Sequence, residues 1–201
     1  MGEQPSAGER IGILGGTFDP VHIGHLVVAG EALEELSLDR LLLVVANDPW
    51  QKRGERPLTA AEDRYAMVAA ATEAVAGVEA DRREIDRGGP SYTIDTVHEL
   101  SRAHPQAELF LVVGADVAAE LHTWHRADEL ARAVTLVVVD RGGVAQGDDP
   151  AGWTVVRLAV PALEISSSDL RRRLAEGRTV DFLVPEPAMR CIRRLGLYAS
   201  A

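Results

Sequence analysis

The chain has 201 residues, of which 46% are hydrophobic and 26% charged, and its formal net charge is −10. These are globular values, which exclude global disorder and a fibrous repeat, and the negative charge disfavours nucleic acid as a partner because duplex binding requires clustered lysine and arginine. No apolar run approaches the ~20 residues that span a bilayer, and no secretory signal is present, so we expect a cytoplasmic protein with no membrane partner.

Apolar runs of strand length alternate with segments in which apolar residues recur at helical spacing. The run at 41–46 is continuously apolar, which is typical of a parallel strand covered on both faces. Thr59 and Glu62 form a capping-box pattern before one helix, whereas Pro187 and Gly196 mark the start and the end of another. In chain order, the pattern predicts a strand at 11–14, a helix at 22–36, a strand at 41–46, a helix at 59–76, a strand at 78–85, a helix at 93–103, a strand at 108–113, helical segments at 117–121 and 126–131, a strand at 134–139, a loop at 142–152, a strand at 154–160, and helices at 166–175 and 187–195.

The alternation of strands and helices predicts an α/β fold with a Rossmann-like, doubly wound parallel sheet and a small helical C-terminal region. We expect one domain at 11–198, preceded by a disordered tail at 1–10. In such sheets, ligands lie outside the carboxyl ends of the strands. Three polar or glycine-rich stretches follow predicted strands and should therefore share one crevice: Gly15-Gly16, 47–52 and 114–116.

Two histidines follow the first strand. His22 and His25 are three residues apart, so a helix that begins near them places both on one face of its first turn. The N–H groups and positive dipole end of that turn attract phosphate, to which two imidazoles can also donate. Gly24 would let a ligand approach the backbone, and Thr17 offers a hydroxyl. Two other interpretations stay open: a metal site with Asp19 as third ligand, and a structural histidine pair.

A basic helix near the C-terminus offers a second phosphate site. Ser167 and Arg171 share one helix face, and Ser168 and Arg172 share another, so the spacing leaves two possible phosphate-binding pairs. A serine-capped helix with a solvated basic face is the alternative interpretation.

Three single residues stand out by their type. Trp124 lies between two histidines, and a tryptophan in the core is its ordinary interpretation. Lys52 is the only lysine in the chain, which indicates either a need for a compact ammonium or compositional drift. Cys191 is the only cysteine, which excludes an intramolecular disulfide and any multi-cysteine zinc site.

These residues carry a family resemblance. The segment GGTFDPVHIGH at 15–25 resembles the HxGH signature of the nucleotidylyltransferase superfamily. Within it, the chain resembles the bacterial nicotinate-mononucleotide adenylyltransferases through four further stretches: GGPSYTIDT at 88–96, GADVAAELHTW at 114–124, ISSSDLRRRL at 165–174 and LVPEPAMRCIRRLGLY at 183–198.

The resemblance implies an enzyme that transfers AMP from ATP to nicotinate mononucleotide, forming deamido-NAD (nicotinate adenine dinucleotide) and pyrophosphate in NAD biosynthesis, with Mg²⁺ accompanying ATP. ATP and nicotinate mononucleotide are thus the expected partners, and no protein side chain is assigned as a metal ligand. The alternatives keep the chemistry with nicotinamide mononucleotide or phosphopantetheine as acceptor, or keep only the fold as a non-catalytic nucleotide-binding module.

The resemblance also implies residue roles. It places Trp124 against the nicotinate ring and the N–H groups near Tyr92 and Thr93 on its carboxylate. Lys52 would meet the mononucleotide phosphate, and the neighbouring Gln51 stands where a common family version has histidine. It implies three catalytic residues (His22, His25 and Arg171), an ATP site (Gly15, Gly16, Thr17, Phe18, His22, His25, Gly114, Asp116, Ser167 and Arg171) and a mononucleotide site (Thr17, Lys52, Tyr92, Thr93, Trp124 and Arg141).

Overall fold

The structure is a computed structural model that describes residues 8–49, 58–141 and 148–199. Its strands are β1 (Arg10–Gly16), β2 (Arg40–Val45), β3 (Val78–Asp81), β4 (Glu108–Gly114), β5 (Thr135–Arg141) and β6 (Val155–Val160). Its helices are α1 (Ile23–Glu35), α2 (Ala61–Thr72), α3 (Arg83–Arg87), α4 (Thr93–Ala103), α5 (Ala115–Ala118), α6 (Ala127–Ala133), α7 (Ser167–Ala175) and α8 (Glu186–Leu195), with a 3₁₀ turn at Leu121–Thr123.

The six strands form one sheet in the order β3-β2-β1-β4-β5-β6, and every neighbouring pair is parallel. The chain runs outward from β1 to β3 and then returns to the other side of β1 with β4, so the winding direction reverses between β1 and β4. Ligands of doubly wound sheets bind at this reversal, outside the carboxyl ends of the strands. The predicted α/β fold with a Rossmann-like parallel sheet is confirmed.

Helices cover both faces of the sheet because successive strand residues point to opposite sides. On β2, Leu41 and Leu43 pack into the layer formed with α1, α2, α7 and α8. Leu42 and Val44 pack into the opposite layer, formed with α4 and α6. This double burial explains why the strand is continuously apolar, and it places the predicted C-terminal helical region against the same face as α1.

β1 differs from its prediction at both ends. It begins at Arg10, inside the stretch predicted as a tail, while residues 1–7 lie outside the described part. Gly15 and Gly16, predicted as a turn, are strand residues that pair with Val44 and Val45. The central strand has a partner on each side, and this pairing extends β1 through both glycines.

The start of α2 was predicted wrongly. The helix begins at Ala61 with Ala60 as its N-cap residue, and no capping box forms between Thr59 and Glu62. The Thr59 carbonyl accepts a hydrogen bond from Arg64 Nε at 2.8 Å, and its hydroxyl interacts with Tyr198. Thr59 therefore bonds to Arg64 and Tyr198 and does not cap the helix.

The third strand is shorter than predicted. β3 ends at Asp81, whose carboxylate accepts hydrogen bonds from the backbone N–H and Nε of Arg83 at 2.9 and 2.8 Å. These bonds turn the chain into α3, so Glu84 is helical instead of extended. By contrast, α4 has the predicted bounds, and α8 ends before Gly196 in the left-handed region, as expected.

The segment predicted as helical at 117–121 is divided between α5 and the 3₁₀ turn. Most of the predicted loop at 142–152 lies outside the described residues. None of the described helices is long and apolar enough to cross a bilayer. The cytoplasmic location stays a prediction.

Candidate active site

A cavity of about 280 Å³ opens outside the carboxyl ends of the central strands. Gly15 and Gly16 of β1, Pro49 after β2 and Gly114 of β4 all line it, so the predicted crevice exists where the structure describes it. Thr17 also lines the cavity. Gln51 and Lys52 lie outside the described residues.

A buried arginine of α2 bonds to the backbone of the turn between β1 and α1. Arg64 of α2 is 1% exposed and donates to the carbonyls of Thr17 and Asn47 at 2.8 and 3.2 Å. Phe18 follows with its ring in the core and a left-handed φ of 50°. Arg64 was not predicted from the sequence. The feature that could have identified it is a single cation among the apolar residues of α2.

Asp19 has a structural partner, Tyr198. Its carboxylate is buried and accepts a hydrogen bond from the Tyr198 hydroxyl at 2.6 Å. Burial and this carboxylate raise the pKa of Tyr198, because both disfavour a phenolate there. Within the described part of the chain, no three histidine, cysteine or acidic side chains form a metal-binding group. The structure thus gives no support to Asp19 as a metal ligand.

Helix α7 presents one of the two serine–arginine pairs to this turn. Ser167 Oγ donates to the carbonyl of Pro20 at 2.9 Å, and Arg171 Nη1 donates to the carbonyl of Asp19 at 2.6 Å. Arg172 is exposed and pairs with Asp169 on its own helix. The packing of α7 therefore brings Ser167 and Arg171 to the histidine turn, whereas Arg172 faces solvent.

The two histidines form one stacked unit. His22 is the N-cap residue of α1, and its ring lies 3.7 Å from that of His25, centroid to centroid. The N–H of His22 donates to His25 Nδ1 at 3.2 Å. Since Nδ1 accepts, the proton of neutral His25 is assigned to Nε2, which can donate to an anion.

Gly24 leaves room for the histidine pair. A Cβ atom at Gly24 would lie 3.1 Å from His22 Nδ1, so the missing side chain makes room for the imidazole. That Gly24 also lets a ligand approach the backbone stays a prediction.

Aromatic rings and a helix terminus form the opposite wall of the cavity. Tyr92 is the N-cap residue of α4 and Thr93 its first residue, and both line the cavity with Trp124. The N–H groups at a helix start have no acceptor within the helix. Trp124 also packs against the core, and its buried indole N–H has no hydrogen-bond partner in the described residues. His125, missed from the sequence, stacks on Tyr92 at 4.5 Å.

At the end of β4, Gly114 lies close to the carboxylate of Asp116. Gly114 is the N-cap residue of α5, and a Cβ atom there would lie 2.5 Å from Asp116 Oδ1. A side chain at position 114 would therefore require the exposed Asp116 carboxylate to turn away from the strand end. Arg141 is the last residue of β5.

Comparison with known proteins identifies the family. The cytidylyltransferase-like family matches residues 13–173. A relative from Corynebacterium kroppenstedtii is 44% identical over 192 residues, covering 94% of this chain and 90% of the relative. One from Thermus thermophilus is 45% identical over 189 residues, covering 94% and 99%. Both are named probable nicotinate-nucleotide adenylyltransferase. The chain belongs to the nicotinate-nucleotide adenylyltransferase family.

A solved structure shares the fold. The nicotinic acid mononucleotide adenylyltransferase of Plasmodium falciparum, complexed with NaAD, has a TM-score of 0.77 to this chain at 19% identity, covering 94% of this chain and 97% of that one. The resemblance inferred from the sequence motifs is thus confirmed, and the chain is a nucleotidyltransferase of this family. The roles of the individual site residues stay predictions.

Proposed function

We propose that this protein transfers AMP from ATP to nicotinate mononucleotide, forming nicotinate adenine dinucleotide and pyrophosphate in NAD biosynthesis. The observation that carries the proposal is the shared crevice: Trp124 and the start of α4 line the same cavity as the β1 exit, whose turn leads directly into the histidine pair. The names of the curated relatives support the same acceptor.

In this proposal, the aromatic wall selects the acceptor. The flat pyridine ring lies against Trp124, and its carboxylate accepts hydrogen bonds from the N–H groups of Tyr92 and Thr93. A site built around hydrogen bonds rejects an analogue that cannot make them, so the acid is favoured over the amide. Lys52 and Arg141 remain our proposed partners of the mononucleotide phosphate.

The opposite wall holds ATP. His22 and His25 lie at the positive end of α1 and donate to the phosphates, while Ser167 and Arg171 meet them from α7. Arg171 Nη2 donates to the hydroxyl of Ser168 in an exposed contact, which a phosphate oxygen can replace. The remaining proposed ATP contacts are Gly15, Gly16, Thr17, Phe18, Gly114 and Asp116.

The reaction needs positioning and charge stabilisation. A phosphate oxygen of the mononucleotide attacks the α-phosphorus of ATP in line, and pyrophosphate leaves from the other side. His22, His25 and Arg171 stabilise the charge that develops on the α- and β-phosphates. No protein nucleophile is required, because both substrates are held with their reacting atoms adjacent.

Magnesium enters this proposal with the substrate. Among the described residues, no three histidine, cysteine or acidic side chains form a group that could hold a metal ion. Mg²⁺ would be carried by the ATP phosphates, where it supplies further neutralisation of the leaving pyrophosphate.

One experiment tests the proposal. Pyrophosphate release is measured with ATP and either the acid or the amide mononucleotide, with phosphopantetheine as a third acceptor. We expect turnover with the acid and a much lower kcat/KM with the amide. Preference for the amide or for phosphopantetheine would change the acceptor, and ATP binding without pyrophosphate release would indicate a non-catalytic module.

A further inference from the structure

A buried carboxylate that the transfer reaction does not use lies in the wall of the acceptor cavity. Glu84 of α3 is 7% exposed and lines the cavity. It accepts a hydrogen bond from Thr96 Oγ1 at 2.8 Å and interacts with the Ser91 hydroxyl. Arg87 Nη2 lies 3.8 Å from the same carboxylate. A buried charge is costly unless it is bonded in this way.

The contacts of the Ser91 hydroxyl show which groups donate to it. Its oxygen accepts the N–H of Asn47 at 2.9 Å and the N–H of Asp48 at 3.3 Å. A hydroxyl has two lone pairs and one proton, so with both lone pairs occupied the proton remains for the neighbouring carboxylate of Glu84, with which Ser91 interacts. Glu84 is thus bonded to Thr96 in the first turn of α4 and interacts with Ser91 just before that helix.

The same contacts join two walls of the cavity. The N–H of Ser91 donates to the Asp48 carbonyl at 3.0 Å, and Asn47 Nδ2 donates to the Gly89 carbonyl at 2.9 Å. Tyr92 and Thr93 follow Ser91 directly and begin α4. The position of the first α4 turn thus depends on the bonds between the β2 exit and Ser91.

We propose that Glu84 is a positioning residue for acceptor selectivity, which acts through Thr96 and the neighbouring Ser91 to hold the first turn of α4 in place against the carboxylate of the acid acceptor. The inference rests on the proposed function. Glu84 does not contact the substrate in this scheme. Its negative charge, which would otherwise oppose an anionic acceptor, is offset in part by Arg87 and by hydroxyl donors, although burial has the larger effect and raises its pKa.

We expect substitution of Glu84 by glutamine to change acceptor selectivity without lowering stability. Burial raises the pKa of Glu84 from its ordinary value of 4.5. An acid whose folded-state pKa is raised contributes stability that is complete below its unfolded pKa and is lost as pH rises through the folded pKa. At pH 7.5 the neutral amide of Glu84→Gln therefore should not lower the melting temperature, although it weakens the bond that orients Ser91.

The test compares Glu84→Gln and Ser91→Ala with wild type in the full-length chain. We expect the KM for nicotinate mononucleotide to rise about 3- to 10-fold, the range of one net hydrogen bond, with the KM for ATP within about twofold. The acid-to-amide ratio of kcat/KM should fall by a similar factor. Asp86→Asn, on the exposed side of the same helix, is the matched control and should match wild type.

Two kinetic outcomes overturn the inference. The first is an unchanged acid-to-amide ratio of kcat/KM in Glu84→Gln. The second is an equal loss for the mononucleotide and ATP together with a lower melting temperature at pH 7.5, which would indicate a general structural role. Calorimetry of acid-mononucleotide binding separates this failure from that of the proposed function. If wild type does not bind the acid, both fail; if wild type and Glu84→Gln bind it equally, only the role of Glu84 fails.

Discussion

The two walls of the crevice are held in place in different ways. The histidine side is the turn at 17–20, of which Thr17 lines the cavity. Its backbone carbonyls accept hydrogen bonds from Arg64, Ser167 and Arg171, side chains 47, 147 and 152 residues away from their acceptors. The acceptor-side wall combines a bond from Thr96 to Glu84 across 12 residues with bonds from Asn47 to Gly89 and Ser91 across 42 and 44 residues. The histidine side thus requires the C-terminal helix α7, whereas these contacts of the acceptor wall lie within residues 47–96.

The difference has a functional consequence. The turn at 17–20 carries the groups proposed to act on ATP phosphates, and its position depends on α2, α7 and the C-terminus together. Changes there should lower turnover. Changes at the aromatic residues of the acceptor wall should act mainly on the mononucleotide, because the two sides are joined through Arg64, which donates to Thr17 and Asn47, and not through these rings. Four substitutions test this contrast, in order of decreasing expected effect.

His22→Ala should cause the largest loss. Removal of one preorganised donor to developing charge lowers kcat about 10²- to 10³-fold, with a modest change in either KM. Steady-state kinetics with both substrates varied measures this. His104→Ala is the control, since His104 contacts Arg40 and Glu9 at the amino ends of the strands. Near-normal turnover of His22→Ala would contradict the proposed role.

Arg171→Ala and Arg172→Ala form a matched pair on one helix. We expect Arg171→Ala to lower kcat about 10²-fold, because the guanidinium holds the turn and meets the phosphates. Arg172→Ala should stay within about twofold of wild type, since its side chain lies in solvent and an exposed ion pair contributes little. Similar losses in the two variants would show that the wrong helix face had been assigned.

Trp124→Ala should act on one substrate. Loss of a stacking surface worth about 1–3 kcal/mol raises the KM for the mononucleotide roughly 10- to 100-fold and leaves the KM for ATP nearly unchanged. Trp153→Ala is the control, because Trp153 packs against the same core layer without lining the cavity. An equal effect on both KM values would remove the distinction between the walls.

Tyr198→Phe should give the smallest kinetic effect and a pH-dependent loss of stability. The variant lacks the donor to buried Asp19, at a cost of about 1–3 kcal/mol in the free energy of unfolding near neutral pH. Because the folded-state pKa of Tyr198 is raised above 10, its contribution is complete below pH 10 and declines at higher pH.

Denaturant unfolding at several pH values measures the Tyr198 effect. The difference between wild type and Tyr198→Phe should shrink above pH 10. A difference that grows with alkaline pH would give the opposite sign and refute the assignment.

Much of the fold follows from local patterns in the sequence. The bounds of α4, the buried β2 and the parallel sheet could be predicted because helical and strand periodicities show which faces are buried. Element ends were less predictable. The start of α2 and the end of β3 depend on contacts of Thr59 with Arg64 and of Asp81 with Arg83, which local propensity does not contain.

The sequence by itself determined the α/β architecture, the adjacency of His22 and His25 and, through its motifs, the family. These properties depend on spacings of a few residues, which can be read directly from the sequence. Only the tertiary structure showed Asp19 bonded to Tyr198 and Glu84 in the cavity wall. Those facts depend on how helices pack against one sheet edge, where residues far apart in the chain become partners, and no local spacing records that packing.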